Sequence, residues 1–457
     1  DVRKYFPELP PYASGVTIRN LLNHTSGIRD YFSLMGIAGH STENAGDTLD
    51  FLRVITRSAE TNFPVNTRYL YSNSGYALLG QLVYRVSGKP LPRFLQERVL
   101  VPLGMSDSRS LSDHTAIIPN RAQSYAPRAG TFAIAASLFD GTGGAGSMHV
   151  TVEDFARWDH NWDVPTVGGK ALVDSLVVRG KLKSDSTISY ALGVTVDTWR
   201  GLRTVSHGGV WAGYRAHFLR FPEHQLSVAT FCNLTTSGPD TLALKTATVF
   251  LGSRMSPDTI GAWDSALTSA ASVPLPVEQL RVLEGAWRNV ELGEVRRTRM
   301  VGDSLMSGAG GTLARLVPLG VNRFRVGRTN TEWTFSSASG ATAGSAPARL
   351  AIRTRAGTTR YERTAVEPVA AAQLAEYVGE YRNEEVETTI TFVADSGRLV
   401  NMRSGRRSGT FEPVARDLFV GGGGVLEFVR DKRGRVTGYA LQAGRVRNLK
   451  FVRRLLP

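Results

Sequence analysis

Two short motifs, far apart in the sequence, hold the residues best able to do chemistry. Tyr71-Ser72-Asn73 stands just before a helical pattern that begins near Gly75, and His207-Gly208-Gly209 precedes a strand-rich stretch. A tyrosine near positive charge has a lowered pKa, so its phenolate can take a proton from a hydroxyl and return it to a leaving group. Asn73 can orient a substrate amide through hydrogen bonds. A tyrosine at a helix start is, on its own, more often a packing residue.

The second motif offers one polar side chain and then backbone that no side chain obstructs. On a strand edge, the backbone amides that follow His207, that of Val210 in particular, can face an oxygen that gains negative charge during a reaction. Together the two motifs indicate acyl transfer.

Other motifs of catalysis and binding do not occur in the sequence. It contains no Gly-x-Ser-x-Gly, no His-Glu-x-x-His, no Walker loop and no dinucleotide fingerprint after a strand. The eight histidines are dispersed without ligand spacing, and the one cysteine, Cys232, lies in an apolar run of strand type. We therefore expect no metal site, no cofactor and no internal disulfide, and we place Cys232 in a core.

Helix and strand patterns position both motifs in an N-terminal domain of residues 1–270. Thr17 stands where a helix N-cap is expected, and the apolar spacing after Gly75 predicts a buried helix that ends near Gly88. Alternating residues within 216–231 predict strands. The domain therefore combines helices with β-structure.

The rest of the sequence contains an internal repeat. The segment from Leu283 to Asn289 returns 94 positions later as Tyr377-Val378-Gly379-Glu380-Tyr381-Arg382-Asn383, and Tyr361-Glu362-Arg363 returns as Phe451-Val452-Arg453. Each unit has room for roughly eight short strands, which form either two small antiparallel barrels or one paired array. We predict antiparallel, lipocalin-like barrels at 276–366 and 371–457.

The net charge of +14 is concentrated in the repeat region. Residues 271–457 carry 29 basic and 18 acidic side chains, a net charge of +11. Because the arginines are scattered along alternating strands, a solvated basic face is the simplest interpretation. Cell-wall polymer is a partner to consider, and nucleic acid is not expected. No window approaches the roughly 20 apolar residues of a membrane span.

Around both motifs the sequence resembles the serine β-lactamase-related family, which includes class C β-lactamases, penicillin-binding-protein-like DD-peptidases, D-aminopeptidases and related esterases. The resemblance runs in family order from Asp1 to about Asn233. It includes Ile18-Arg19-Asn20-Leu21-Leu22-Asn23-His24-Thr25-Ser26-Gly27-Ile28, Tyr71-Ser72-Asn73-Ser74-Gly75-Tyr76, Pro102-Leu103-Gly104-Met105, Gly143-Gly144-Ala145-Gly146-Ser147-Met148 and His207-Gly208-Gly209. The paired C-terminal units look like the accessory barrels of some D-aminopeptidase-like members.

The resemblance implies a β-lactamase/transpeptidase-like fold, an antiparallel sheet flanked by helices, in a serine hydrolase that forms an acyl-enzyme with a peptide, amide or ester. The expected catalytic residues are Tyr71, Asn73 and His207, and the expected substrate-binding residues are Ser72, Gly208, Gly209 and Val210. A neutral imidazole at His207 gives no fixed charge for a substrate carboxylate, which fits the peptidase and esterase side of the family. A periplasmic or other extracytoplasmic location is favoured. The alternative is a non-catalytic envelope protein that uses the pocket and the basic barrels for recognition.

One departure from the family concerns the nucleophile, the serine of a Ser-x-x-Lys motif. No serine stands three residues before any lysine of this sequence. In the family that motif precedes the segment matched by Asp1, so we expect the chain to begin after its nucleophile helix and to be catalytically silent by itself. Ser26, in a stretch that resembles a structural helix-end motif, and Ser147, in a Gly-rich turn, are weaker candidates.

Overall fold

The structure is a computed structural model, and it describes residues 1–40, 48–113, 115–137, 143–309, 312–327, 329–338, 346–354, 357–367 and 369–454. The chain divides into two compact units, Asp1–Pro257 and Asp258–Pro457. We keep the sequence-based bounds, 1–270, 276–366 and 371–457, as a proposal beside this geometric division.

The first unit contains helices and strands in a mixed order. Its helices are α1 (Ile18–Leu22), α2 (Tyr31–Ala38), α3 (Thr48–Arg57), α4 (Asn73–Ser87), α5 (Leu91–Leu95), α6 (Val152–His160), α7 (Gly169–Leu176) and α8 (Pro239–Leu251). Its strands are β1 (Arg109–Ser110), β2 (Tyr125–Arg128), β3 (Thr131–Ile134), β4 (Met148–His149), β5 (Thr195–Trp199), β6 (Leu202–Trp211), β7 (Tyr214–Phe221) and β8 (Leu226–Cys232).

The predicted helix after Gly75 is confirmed as α4, whose small residues allow close packing. A Cβ on Gly75 would lie 3.0 Å from the Leu21 carbonyl oxygen of α1, and a Cβ on Gly80 would lie 2.5 Å from the Gly143 carbonyl oxygen. The helix ends at Gly88, whose φ of 70° is a left-handed conformation that glycine adopts without strain. The Gly75 contact holds the first turn of α4 against α1.

The main sheet of the first unit is antiparallel, with the strand order β5-β6-β7-β8. Strand β6 pairs with β7 as far as Trp211 opposite Tyr214. On its other edge, β5 extends only to Thr195, opposite Ser206. In the part of the chain that the structure describes, no strand therefore pairs with that edge of β6 beyond Ser206.

Two of the apolar clusters in the first unit join its helices to one another and to the sheet. One joins α1 to α4 and is built from Val2, Phe6, Leu9, Ala13, Val16, Leu21, Ile28, Tyr31, Phe51, Ile55, Ala77 and Leu78. The other joins α8 to the sheet and is built from Leu202, Leu219, Phe221, Val228, Ala243, Ala247 and Leu251. The core position expected for Cys232 is wrong: this residue ends β8 at intermediate exposure, at an outer strand of the sheet.

The second unit contains two closed eight-stranded antiparallel barrels, so the barrel alternative is confirmed and the paired array is excluded. The strands of the first barrel are β9 (Gly285–Asn289), β10 (Glu294–Val301), β11 (Ser304–Ala309), β12 (Thr312–Gly320), β13 (Arg323–Val326), β14 (Glu332–Ser336), β15 (Arg349–Thr354) and β16 (Gly357–Thr364). Those of the second are β17 (Gly379–Asn383), β18 (Thr388–Asp395), β19 (Arg398–Arg403), β20 (Arg406–Ala415), β21 (Leu418–Gly421), β22 (Gly424–Arg430), β23 (Val436–Ala443) and β24 (Val446–Arg453). Helices α9 (Thr259–Ser269) and α10 (Val277–Arg281) precede them.

The sequence repeat marks the closure of each barrel. In the first, the Arg363 guanidinium of the last strand lies 5.3 Å from the ring centroid of Trp287 on the first strand. In the second, Arg453 lies 5.9 Å from the ring of Tyr381 in the same arrangement. Both arginines donate to backbone carbonyls just before the first strand, so the repeated residues seal one end of each barrel.

Apolar and aromatic side chains pack together in the barrel interiors. The first contains Trp287, Leu305, Leu316, Phe324, Trp333, Phe335, Leu350, Ile352 and Tyr361. The second contains mutually contacting rings of Tyr377, Tyr381, Phe392, Phe419, Phe428, Tyr439 and Phe451. Such filled interiors are typical of small barrels, whose closed strands also leave no exposed edge.

Candidate active site

The two motifs meet in one cluster of rings. Tyr71 lies two residues before α4, and His207 lies on β6 where β5 no longer pairs with it. Their ring centroids are 6.2 Å apart. The other rings of the cluster are His24, Tyr69, Tyr76 and Tyr190. The rings of the cluster therefore come from four separate segments of the chain, including the two that carry the predicted catalytic pair.

Tyr71 is half-buried and stacks on a histidine that the sequence motifs did not assign to the site. Its ring centroid lies 4.0 Å from that of His24, with 32° between the ring planes. It lies 6.0 Å from the ring of Tyr190, in an edge-to-face arrangement. Aromatic rings therefore contact Tyr71 on two sides.

His207 is held by a second phenol. Its Nε2 lies 3.0 Å from the Tyr190 hydroxyl, a hydrogen-bonding distance. Burial lowers the pKa of His207, while the neighbouring backbone of Gly208 opposes that shift. The ring is therefore neutral near pH 7, where it offers hydrogen bonds but no permanent positive charge.

Asn73 begins α4 and is fixed by a buried carboxylate. Its backbone N–H and its side-chain Nδ2 both donate to Asp30 Oδ2, at 2.8 and 2.7 Å. The other oxygen of Asp30 accepts from the backbone N–H and the hydroxyl of Ser33, each at 2.9 Å. Asp30 therefore joins the start of α2 to the start of α4, and the Asn73 side-chain oxygen takes no part in this contact.

Ser72 lies inside the fold. It is 3% exposed, and its backbone N–H donates to His24 Nδ1 at 3.1 Å. Its hydroxyl has no hydrogen-bond partner among the described residues. The structure thus brings Tyr71 and His207 together and turns the residue between Tyr71 and Asn73 toward the interior.

The remaining predicted residues, Gly208, Gly209 and Val210, are exposed on β6. Val210 is 72% exposed. Because β5 pairs with β6 only as far as Ser206, one backbone edge of this segment faces away from any described strand. An extended peptide can add to such an edge through main-chain hydrogen bonds.

Three residues at the site escaped the sequence motifs. His24 belongs to a stretch in which only Ser26 was considered as a candidate site residue. The imidazole of His24 was the signal that could have identified it. Asp30 stands at a helix N-cap, a place where aspartate is ordinary. Tyr190 has no motif around it and reaches His207 only through the fold.

Other kinds of site are not evident in the described ranges. They contain no cluster of three or more His, Cys, Asp or Glu side chains that could hold a metal ion. None of their helices has the length and apolar character needed to cross a membrane. A cavity of about 440 Å³ on α6, with Glu153, Arg157 and His160 among its lining residues, contains none of the predicted site residues.

Two relatives found by comparison with known proteins match different shares of this chain. Penicillin-binding protein 4* of Bacillus subtilis is 28% identical over 249 residues, which are 51% of this chain and 54% of that protein, so the chain spans about half of that relative. A D-aminopeptidase of Brucella anthropi is 23% identical over 464 residues, covering 96% of this chain and 81% of the enzyme.

A solved structure also aligns along nearly the whole chain. The octameric penicillin-binding protein homologue from Pyrococcus abyssi is 16% identical and has a TM-score of 0.48, with 99% of this chain and 81% of that one covered. The family profile described as Beta-lactamase matches residues 1–252, which contain both motifs and the whole ring cluster. On the strength of that match, this chain belongs to the beta-lactamase family.

Proposed function

We propose that the first unit forms the proton-transfer and substrate-binding part of a serine hydrolase site that cleaves amide or peptide bonds after a D-amino acid. The observation that carries this proposal is the approach of Tyr71 to His207, with ring centroids 6.2 Å apart, beside an open strand edge. Family membership supports the reaction class, and the D-aminopeptidase relative supports the substrate class.

In the proposed reaction, Tyr71 transfers a proton between nucleophile and leaving group. The serine hydroxyl gives its proton to Tyr71, which acts as the phenolate, while the serine oxygen bonds to the substrate carbonyl carbon. The C–N bond then breaks, and the amine leaves with the proton from Tyr71. Water reverses these transfers and releases the acid. In this scheme, the backbone amides after His207 stabilise the negative carbonyl oxygen.

The attacking hydroxyl in this scheme belongs to a Ser-x-x-Lys pair, and the 457 residues do not contain that pattern. The test therefore uses the protein expressed from its complete gene. The 457 residues by themselves are expected not to turn over substrate.

The neutral state of His207 narrows the range of substrates that suit the site. A substrate with a free carboxylate next to the scissile bond gains from a fixed positive charge, which a half-buried neutral imidazole does not supply. An amide or a peptide that presents its amino end needs hydrogen bonds instead. This favours aminopeptidase or amidase chemistry over turnover of β-lactams.

The test compares D-phenylalanine amide with L-phenylalanine amide as substrates. We expect release of ammonia from the D-enantiomer, and we expect Tyr71→Phe to lower kcat/KM by about 10²–10⁴-fold because the general acid–base group is lost. Tyr84→Phe, an exposed tyrosine on α4, is the matched control and should leave kcat/KM unchanged. If the complete gene product hydrolyses no amide, peptide or ester, the proposal fails.

The absence of Ser-x-x-Lys from the sequence favours one second candidate, recognition without turnover. In that case, calorimetry detects binding of a D-amino acid amide or peptide to the complete gene product, and mass spectrometry finds no acyl adduct. An acyl adduct on a serine excludes this candidate.

A further inference from the structure

His24 holds the backbone on both sides of Tyr71. The Leu70 N–H donates to the His24 carbonyl oxygen at 3.0 Å, and the Ser72 N–H donates to His24 Nδ1 at 3.1 Å. Between these two bonds, the Tyr71 ring stacks on the imidazole at 4.0 Å. One residue therefore holds the backbone before and after the proposed proton carrier and also packs against its ring.

His24 is itself held tightly. It is 1% exposed, and its φ of 56° is a left-handed conformation that few residues other than glycine adopt. The preceding residue, Asn23, donates its side-chain N–H to the Ala191 carbonyl oxygen at 2.7 Å, next to Tyr190. Backbone strain retained by surrounding contacts is a common feature of functional sites.

The bond from Ser72 determines the protonation of His24. A backbone N–H can only donate, so Nδ1 must carry a lone pair, and an imidazolium has no acceptor to offer. A neutral ring with its proton on Nε2 satisfies this contact. The titratable groups around the ring are the phenols of Tyr69, Tyr71, Tyr76 and Tyr190, and His207 lies beyond Tyr190.

We propose that His24 is a positioning residue for Tyr71, acting as a neutral imidazole that accepts from the Ser72 N–H and stacks on the phenol. This positioning role rests on the proposed function, because it treats Tyr71 as the proton carrier. The protonation state and the two clamping bonds do not depend on that function. The two claims are therefore tested by different measurements.

The first test is a histidine ¹⁵N NMR spectrum of the 457-residue chain at pH 7, with His24 assigned by the loss of its signals in His24→Asn. We expect Nδ1 to show the shift of an unprotonated nitrogen and Nε2 that of an N–H. A protonated Nδ1 overturns the proposal. This measurement needs no activity and no folded variant beyond the one used for assignment.

The second test separates the acceptor from the ring by measuring amide hydrogen exchange. His24→Phe keeps a ring beside Tyr71 and removes the acceptor, so exchange of the Ser72 amide is expected to accelerate about 10-fold. His24→Asn offers a side-chain oxygen in place of Nδ1 and should restore most of the protection. The Leu70 amide, bonded to the backbone of His24, is the internal control. Equal protection of Ser72 in both variants contradicts the proposal.

The third test links the clamp to the reaction. In the complete gene product, His24→Phe should lower kcat for D-phenylalanine amide about 10-fold with little change in KM, because orientation of the proton carrier is lost while substrate contacts stay. An unchanged kcat overturns the positioning role. If the wild type has no hydrolase activity, the proposed function fails while the NMR and exchange results still decide the state of His24.

Discussion

The ring cluster of the first unit and the barrel closures of the second both contain polar aromatic side chains, but their hydrogen bonds differ. In the second barrel, Tyr381 is fully buried and its hydroxyl donates to the Tyr377 carbonyl oxygen at 2.8 Å. Arg453, the arginine that closes this barrel, also donates its hydrogen bonds to backbone carbonyls. In the first unit, Tyr71 and His207 are half-buried, and His207 meets the side chain of Tyr190.

The difference shows what separates packing from chemistry among polar rings. At a barrel closure, the arginine donates to nearby backbone carbonyls, and the polar atom of the ring donates to a carbonyl or to the Thr298 hydroxyl, so the arrangement is fixed and can repeat with the sequence. At the ring cluster, polar side chains from distant segments meet one another next to an open strand edge. We therefore expect changes at the closures to alter stability and changes in the cluster to alter reaction.

The largest stability effect is expected from Trp287→Ala, which empties the centre of the first barrel. Trp287 is fully buried, and removal of such a side chain costs about 3–5 kcal/mol. Urea unfolding followed by tryptophan-independent circular dichroism measures the loss. Val290→Ala, at a side chain that is 74% exposed, is the control, and a loss below about 1 kcal/mol for Trp287→Ala would show that this ring does not organise the barrel.

Arg363→Met and Arg453→Met test whether both closures work alike. Each substitution keeps much of the aliphatic packing and leaves backbone carbonyls without their donor, so each should cost about 1–3 kcal/mol. The free energy of unfolding is measured for both variants under the same conditions. A large effect in one barrel and none in the other contradicts a shared device.

Tyr190→Phe tests the link inside the ring cluster. It removes the hydrogen bond to His207 Nε2 and keeps the ring, so the unfolding free energy should fall by about 0.5–1.5 kcal/mol. In the complete gene product, kcat/KM should fall about 3–10-fold because His207 loses its orientation. Tyr84→Phe is again the control, and an unchanged kcat/KM in Tyr190→Phe removes Tyr190 from the site.

The smallest effect is the dependence of stability on pH. Burial lowers the pKa of His207 below the value of about 6.5 expected for an exposed histidine. The unfolded chain therefore binds more protons between the two values, and the unfolding free energy should fall as the pH drops below about 6.5. His207→Asn should reduce this slope in urea unfolding between pH 5 and 8. A residual slope is expected because burial also lowers the pKa of His217.

The elements that local patterns specify could be predicted from the sequence. The Thr17 hydroxyl accepts from the Asn20 N–H at the start of α1, as its position at an N-cap indicated. The repeat gave two barrels because each strand set must close to satisfy its edges, and Gly285 and Gly379 do begin the first strands. The nearness of Tyr71 to His207 followed from family resemblance and not from any local pattern.

What the sequence left out depends on contacts through space. Tyr190 reaches His207, and Asp30 reaches Asn73, only because the sheet and α4 bring distant segments together. The inward direction of Ser72 depends on the bond of its N–H to His24, which no periodicity indicates. The exposure of Cys232 reflects its place at the end of an outer strand, where apolar residues need not be buried.

The difference between the ring cluster and the barrel closures is tested most directly by two matched substitutions, Tyr71→Phe and Tyr381→Phe, made in the complete gene product. Each removes one hydroxyl, and both kcat/KM for D-phenylalanine amide and the free energy of unfolding are measured. Tyr71→Phe is expected to lower kcat/KM at least 100-fold with little loss of stability. Tyr381→Phe is expected to lower stability by about 0.5–1.5 kcal/mol and to leave kcat/KM unchanged. Equal kcat/KM in the two variants would contradict this difference.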